Sequence, residues 1–427
     1  MSSTDTTWQP LRKYSFRFFF LFLGLSSYLC LDAVTYMLHN SLSHSQFDIG
    51  SMYQPIRGAL AWLDKHIFHL GYNPGKQQGW PGDNHFGVLI YITVFLVSTI
   101  GAIAWGALDR KRTNYDRLSA WFRLYLRYVL GVVLLGYGID KLIPVQMRYP
   151  NVFMMVTPFG YFDRFSVLWN SIGAAPGYSI FTGATETLAA LLLFPRRTAV
   201  AGYVLTALVM TNVFAINIFY NITVKLFSGQ LLLIALYLLA PYLNPLFQYF
   251  FRNNPAPLVQ PRYTFHPGWK NYTLTAALIA VPLASIIIYT IGGIDKYLTN
   301  QRIYRQEKIY DVTAFMAKDT LPPLTTDTLR WKRLLLFNSW RQDYAAVMSM
   351  NDESDWYQFK QDTVKKTFTL YFDPDTTTWR VLRYSRSSKD QLELTGKWRG
   401  QDIRVSLKEY PVDSMPINAE KIRLIRD

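Results

Sequence analysis

The sequence predicts an all-α polytopic membrane domain followed by a small β-rich soluble domain at the C-terminal end. Half of the 427 residues are hydrophobic and only 17% are charged. The charge is unevenly distributed: residues 1–295 contain 21 Lys and Arg and 11 Asp and Glu, whereas the shorter stretch 296–427 contains 23 and 18. Long apolar runs are concentrated in the first stretch, and the second has the charge density of an ordinary soluble domain.

The membrane domain is predicted from apolar segments long enough to cross a bilayer. A transmembrane helix needs about 20 consecutive, mostly apolar residues. Seven segments come close to or reach that length, and the fourth and sixth are the shortest, so the predicted count is seven plus or minus one. The segments are 16–38, 86–108, 125–143, 178–194, 199–219, 227–243 and 272–292.

The distribution of Lys and Arg predicts the orientation of these spans. Thirteen of them lie on the N-terminal flank and in the second, fourth and sixth connections, against six in the first, third and fifth. Cytoplasmic connections are enriched in Lys and Arg, so the N-terminus is predicted to be cytoplasmic. Seven spans then place the C-terminal domain on the periplasmic side of a bacterial inner membrane. The net charge of +15 is explained by these connections, so the predicted partner is the lipid bilayer, and no nucleic acid is predicted.

The cysteine and histidine content argues against thiol and metal chemistry. Cys30 is the one cysteine, so neither an intramolecular disulfide nor a cysteine-based metal site can form. His66 and His69 are three residues apart on a helix predicted from Ile56 to Leu70, but their spacing specifies no ligand geometry. No metal site is predicted.

The C-terminal domain is predicted to be an antiparallel sheet or partial barrel. Alternating apolar residues at 367–372 and 379–384 flank a turn signal at 373–376, which is typical of a hairpin. The same pattern recurs at 391–395, 396–400 and 402–407. A binding or structural role is the default expectation for this domain, because no catalytic motif is present in it.

The strongest candidate for chemistry is Glu186, the one glutamate before residue 307. It falls inside the fourth span, where a carboxylate needs a partner within the helix bundle or a proton. Lys141, at the end of the third span, is the predicted partner, although Asp140 could neutralise Lys141 instead. Two readings stay open: a ligand or proton site, and a structural ion pair between helices.

Further polar residues are predicted around the same pocket. Tyr137 precedes Lys141 by one turn, and Asn217, Tyr220 and Asn221 follow the fifth span. Asn217 and Asn221 share one helix face if the helix continues that far. They line the pocket in one reading, and they are packing groups and interfacial anchors in the other.

Residues 125–243 carry motifs that resemble the DoxX-like four-helix membrane family. The motifs are Arg127 before Gly131, Leu135-Gly-Tyr-Gly138 before Lys141-Leu142, and Gly183-x-x-Glu186 before Leu191-Leu-Leu-Phe-Pro-Arg196. The longer layout is similar to DoxX-like proteins of Bacteroidetes, which have additional N-terminal spans and a soluble C-terminal domain. The family takes its name from a subunit of a thiosulfate:quinone oxidoreductase, and most members have no assigned activity.

The resemblance implies a division of the chain and a function. Residues 1–120 hold two spans with a long external loop, 121–250 the four-helix unit, 251–295 a linker and final span, and 296–427 the soluble domain. The first hypothesis is an accessory subunit of a redox or membrane-stress system that binds a small ligand, with quinone as the candidate. The alternative is a non-catalytic scaffold that presents the periplasmic domain to an envelope or redox protein, and a transporter is the third reading. Whether the protein is an enzyme is left open, and no cofactor is assigned.

Overall fold

The structure, a computed structural model, describes residues 7–42, 53–76, 80–254, 268–317, 327, 329–339, 342–372 and 379–419. The chain divides into two compact units. One comprises Met1–Gln146 and Pro176–Lys296, and the other Met147–Ala175 and Tyr297–Asp427. The predicted division of the chain at residues 120, 250 and 295 stays a prediction.

The first unit is helical, and the second contains the strands and three short helices. In chain order, the helices are α1 (Pro10–Leu42), α2 (Gln54–Leu63), α3 (His85–Leu108), α4 (Asp116–Leu142), α5 (Val152–Val156), α6 (Arg164–Ala174), α7 (Pro176–Leu193), α8 (Ala199–Phe219), α9 (Lys225–Leu239), α10 (Leu243–Arg252), α11 (Trp269–Tyr304) and α12 (Pro416–Ala419). The strands are β1 (Lys308–Ala317), β2 (Trp331–Ser339), β3 (Gln342–Ser349), β4 (Ser354–Asp362), β5 (Thr367–Phe372), β6 (Trp379–Arg386), β7 (Gln391–Trp398) and β8 (Gln401–Tyr410).

Six helical stretches in the described chain are long and apolar enough to cross a membrane. They are α1, α3, α4, α8, the stretch Lys225–Arg252 that covers α9 and α10, and α11. The predicted polytopic helical domain is thereby confirmed. The predicted fourth span corresponds to α7, which has 18 residues, includes Glu186 and is not among the six.

Contacts at small residues show the direction of α7 and α8. Gly131 of α4 lies against Phe194 just after α7, and Gly138 lies against Gly183 nearer the start of α7, so α4 and α7 are antiparallel. Gly202 of α8 lies against Leu192 near the turn that joins α7 to α8. Therefore α4 and α8 point the same way, and α7 runs antiparallel to both.

The first and last long helices run parallel to α4. On α1, Gly24 lies against Phe122 and Met37 against Gly136. On α11, the Leu278 carbonyl accepts a hydrogen bond from Tyr128 (3.0 Å), and Gly293 lies against Ile143. Both helices therefore run in the same direction as α4. It follows that the start of α1 and Lys296 of α11 lie towards opposite ends of the helical unit.

The C-terminal domain is a closed eight-stranded antiparallel barrel. Each strand pairs with the next along the chain, and β8 pairs with β1 to close the sheet. The predicted hairpin is β5–β6, with Thr367 opposite Arg383, and its turn at 373–376 lies outside the described residues. The segments predicted at 391–395 and 396–400 form one strand, β7. Side chains that alternate along the strands fill the interior, among them Trp331, Tyr357, Phe368 and Trp398.

The outer face of the barrel carries a second apolar cluster that includes α5. Val152 is buried there with Leu335 and Phe337 of β2. The ring of Phe153 lies 5.5 Å from that of Phe337 and 4.5 Å from that of Trp356. The connection between α4 and α7 therefore packs on the barrel, a contact that the sequence did not predict.

Candidate functional site: a buried ion pair between two membrane helices

The candidate site forms where α4 and α7 come closest. A Cβ atom on Gly183 would lie 2.4 Å from the Leu142 amide nitrogen, and one on Gly138 would lie 2.8 Å from the Thr187 amide nitrogen. Only glycine permits such a backbone approach, which is the usual way in which membrane helices pack closely. The Ser179 hydroxyl also donates to the Lys141 carbonyl oxygen (3.1 Å). Gly183 and Gly138 thus allow the side chains one turn further along each helix, Glu186 and Lys141, to come together.

Lys141 and Glu186 form an ion pair in this interface. The Lys141 Nζ donates to Glu186 Oε1, and both residues are less than 10% exposed. Glu186 Oε2 is buried with no hydrogen-bond partner. A lysine ammonium has three donors and a carboxylate has capacity for several acceptors, and only one bond between them is described. The pair therefore has unused hydrogen-bonding capacity on the carboxylate and the ammonium.

Asp140 and Tyr137 lie beside the pair. Asp140 is partnered by Lys296 of α11, with 3.9 Å between Nζ and Oδ1, whereas Lys141 contacts Glu186. The Tyr137 ring packs against Phe227 with 6.5 Å between centroids. Tyr137 lies one helical turn before Lys141 on α4. Four of the predicted site residues are thus near one another.

The predicted residues at the end of α8 are arranged differently. Asn217 is buried, and its carbonyl accepts a hydrogen bond from the Ile222 amide (2.9 Å) as the helix ends. Tyr220 is the residue after α8, and Asn221 is exposed with a left-handed φ of 54°. Because the helix stops at Phe219, Asn217 and Asn221 do not share a helix face. Within the described part of the chain, no hydrogen bond joins these three residues to Glu186.

A second buried carboxylate was missed by the sequence analysis. Asp32 of α1 is 1% exposed, its Oδ2 accepts a hydrogen bond from the Tyr53 hydroxyl, and its Oδ1 has no hydrogen-bond partner. An acidic residue inside the apolar run 16–38 was the available signal, and the rule that singled out Glu186 applies equally to Asp32.

Polar contacts near Asp32 join three helices. Gln230 of α9 donates to the Ser26 carbonyl oxygen (2.8 Å) and to the Cys30 Sγ (3.4 Å). The Tyr91 hydroxyl of α3 donates to Gln230 Oε1 (2.5 Å). Cys30 is therefore a buried acceptor inside the bundle.

Glu307, between α11 and β1, is a carboxylate of the barrel unit whose pKa is raised. Its two oxygens accept hydrogen bonds from the Val152 amide (3.1 Å) and the Asn338 amide (3.3 Å). Burial raises the pKa of Glu307 from 4.5 to about 7, and the two amide donors partly oppose that shift. Glu307 therefore links the first residue of α5 to the barrel through a group that titrates near neutral pH.

Part of the chain is similar to a bacterial relative. A segment of 125 residues is 33% identical to the uncharacterized protein YwoB of Bacillus subtilis (strain 168), and it covers 29% of this chain and 75% of that protein. The chain belongs to the YwoB family. The name of YwoB states no activity, so membership of its family does not indicate a substrate. No protein-family model matches the chain, and no solved structure matches it. The resemblance to the DoxX-like proteins therefore stays a prediction.

Proposed function

We propose that the helical half of this polytopic membrane protein binds a small lipophilic molecule with a polar head group at Lys141 and Glu186. The observation that supports this most directly is Glu186 Oε2, a carboxylate oxygen buried in a membrane helix without a hydrogen-bond partner. Such an oxygen favours a ligand that donates a hydrogen bond, because an unsatisfied polar atom in this environment is costly.

A quinone in its reduced form has the matching chemistry, and the DoxX resemblance makes it the candidate ligand. A quinol hydroxyl donates to Glu186 Oε2. A quinone carbonyl accepts from an N–H of Lys141 that Glu186 does not use. Tyr137, one turn before Lys141 on the same helix, provides a further hydroxyl. In this role the protein is an accessory subunit of a redox or membrane-stress system.

The test measures binding of decylubiquinol and decylubiquinone to the full chain in lipid nanodiscs. Glu186→Gln is expected to weaken decylubiquinol binding by about tenfold, the effect of losing one charged hydrogen bond. Thr185→Val is the matched control, because the Thr185 hydroxyl bonds within its own helix, to the Phe181 carbonyl (2.9 Å). Equal binding by wild type and Glu186→Gln contradicts the proposal.

We also propose that the N-terminus is cytoplasmic and the barrel periplasmic. Because α1 and α11 run parallel, the N-terminus and the barrel are expected on opposite sides of the membrane. The distribution of Lys and Arg indicates that the side of the N-terminus is the cytoplasmic one. In a Cys30→Ser background, Gly400→Cys in the β7–β8 turn is expected to react with a membrane-impermeant maleimide in spheroplasts. Arg110→Cys, after α3, is expected to react only after permeabilisation. The reverse pattern contradicts this orientation.

The second candidate function is a scaffold that presents the barrel to an envelope partner. It is favoured by the packing of α5 on the barrel, because two separate segments of the chain, the α4–α7 connection and α11, then anchor the barrel. In this case the ion pair is architectural. A Lys141→Met, Glu186→Leu double variant is then expected to restore the wild-type phenotype to a strain that lacks the protein. The ligand-binding function predicts that the double variant does not restore it.

A further inference from the structure

Arg127 is a buried cation in the middle of α4. It is 3% exposed, and its Nε and Nη1 atoms are buried without a hydrogen-bond partner. The described contact of its guanidinium is with the ring of the neighbouring Tyr128, 5.5 Å from the centroid. Within the described residues, no Asp or Glu forms an ion pair with Arg127.

This arrangement is incomplete on physical grounds. A guanidinium carries five N–H donors and keeps its charge in proteins. A charge inside a membrane bundle needs a counter-charge or an acceptor for each buried donor. One aromatic ring satisfies neither of the two unpartnered nitrogens. An anion that accepts hydrogen bonds has the chemistry that these two nitrogens require.

The surroundings of Arg127 add positive charge. Arg123 precedes Arg127 by four residues, so the two side chains leave the same face of α4. The Arg123 guanidinium donates to the carbonyl oxygens of Tyr237 (3.4 Å) and Leu238 (2.5 Å) at the end of α9. It also lies 5.7 Å from the ring centroid of Tyr242. Two cations thus leave one face of α4, each with an aromatic ring beside it.

We propose that Arg127 binds a phosphate group, with Arg123 adding to the electrostatic attraction. The planar fork of a guanidinium matches two oxygens of a phosphate along its Nε–Nη2 edge or its Nη1–Nη2 edge, so either unpartnered nitrogen can take part in a bidentate contact. The phosphate comes from an anionic membrane lipid or from free inorganic phosphate. This site is separate from the Lys141 site, because the two residues are 14 positions apart on α4, about 21 Å along the axis.

The experiment compares the two sources of phosphate on the full chain. Delipidated protein is titrated in neutral detergent with phosphatidylglycerol, with phosphatidylcholine and with inorganic phosphate. Bound lipid is counted by native mass spectrometry, and phosphate by equilibrium dialysis. Wild type is expected to retain phosphatidylglycerol in preference to phosphatidylcholine if the source is a lipid, and to bind inorganic phosphate saturably if the source is free phosphate.

The variants separate a ligand site from a structural cation. Arg127→Gln is expected to weaken the preferred ligand by about tenfold or more, the effect of losing charged hydrogen bonds. Arg127→Lys, which keeps the charge but loses the fork, is expected to be intermediate. Arg117→Gln is the matched control, because Arg117 lies on the same helix and is exposed.

Two outcomes overturn the proposal. One is that wild type binds neither phosphatidylglycerol selectively nor inorganic phosphate. The other is that Arg127→Gln or Arg127→Lys binds the preferred ligand as wild type does. If Arg127→Gln fails to fold, Arg127→Lys and the wild-type titrations still decide the matter.

Discussion

Gly183 of α7 lies so close to Gly138 of α4 that a Cβ atom on Gly183 would fall 2.7 Å from the Gly138 carbonyl oxygen. The two glycines precede Glu186 and Lys141, respectively, by three residues. The backbone approach and the ion pair are therefore parts of one interface, and the sequence spacing Gly-x-x-Glu and Gly-x-x-Lys encodes both.

Gly183→Ala is expected to force α4 and α7 apart. The added methyl would meet the Leu142 amide nitrogen and the Gly138 carbonyl oxygen, which are backbone atoms that cannot rotate away. Overpacking of this kind costs about 1–3 kcal/mol or more, so a lower thermal unfolding temperature in detergent is expected. Gly177→Ala, at the start of the same helix, has nothing within 4 Å of the added Cβ. Equal unfolding temperatures for the two variants would show that the close approach is dispensable.

Removing one member of the buried ion pair is expected to destabilise the protein more than removing both. Lys141→Met leaves Glu186 as an uncompensated buried charge, and breaking such a pair costs about 3–5 kcal/mol. The double variant Lys141→Met, Glu186→Leu removes both charges and is expected to recover most of that loss. Denaturation of the single and double variants in one detergent measures the coupling. Additive losses would mean that the pair contributes no coupling energy.

The stability of the barrel unit is expected to fall as the pH rises. The pKa of Glu307 is about 7 in the folded protein and 4.5 for the free side chain, so the folded state binds the proton more tightly. The contribution of Glu307 is therefore fully present below pH 4.5 and is lost as the pH rises through 7. Denaturant unfolding followed by tryptophan fluorescence over this range measures the slope. Glu307→Gln is expected to flatten it, whereas Glu353→Gln, at an exposed turn, is expected to leave it unchanged.

Phe153→Ala is expected to release the α4–α7 connection from the barrel. The variant loses the ring contacts with Phe337 and Trp356. Because Phe153 is only partly buried, the expected cost is about 1–3 kcal/mol, below that of a fully buried Phe. The release is measured by the rate of tryptic cleavage after Arg164, which is expected to increase. Phe159→Ala removes a side chain that is 74% exposed, and its cleavage rate is expected to match that of wild type.

The helical half was largely predictable because a helix that crosses a bilayer needs an apolar run of about 20 residues, which is easily recognised in a sequence. The predicted span 199–219 has the bounds of α8. The predicted span 125–143 begins nine residues late, because the first turns of α4 contain Asp116, Arg117 and Arg123, which hydropathy excludes although they are helical. The Lys141–Glu186 pair was predictable for a similar reason, since two ionisable groups on adjacent spans have few other partners.

The barrel was predicted only in its C-terminal half. Strand β5 has the predicted bounds 367–372, because alternation and a turn signal both mark it. β2 and β3 were not predicted as separate strands because apolar residues on both of their faces obscure the alternation. Leu334 and Ala345 fill the barrel interior. Leu335 and Ala346 are buried on the outer face, which α5 covers. Closure depends on pairing of β1 with β8, about 90 residues away, and a local pattern carries no information about such a distant partner.

The closed sheet has a consequence for how the barrel could recognise another protein. With β8 hydrogen-bonded to β1, the described strands offer no free sheet edge to which a partner could add a strand. Recognition by backbone pairing is therefore blocked, as is edge-to-edge self-association. A partner has to read side chains on the outer wall or the loops at the two rims, so changes of partner can evolve there by substitutions that leave the hydrogen-bonded framework untouched.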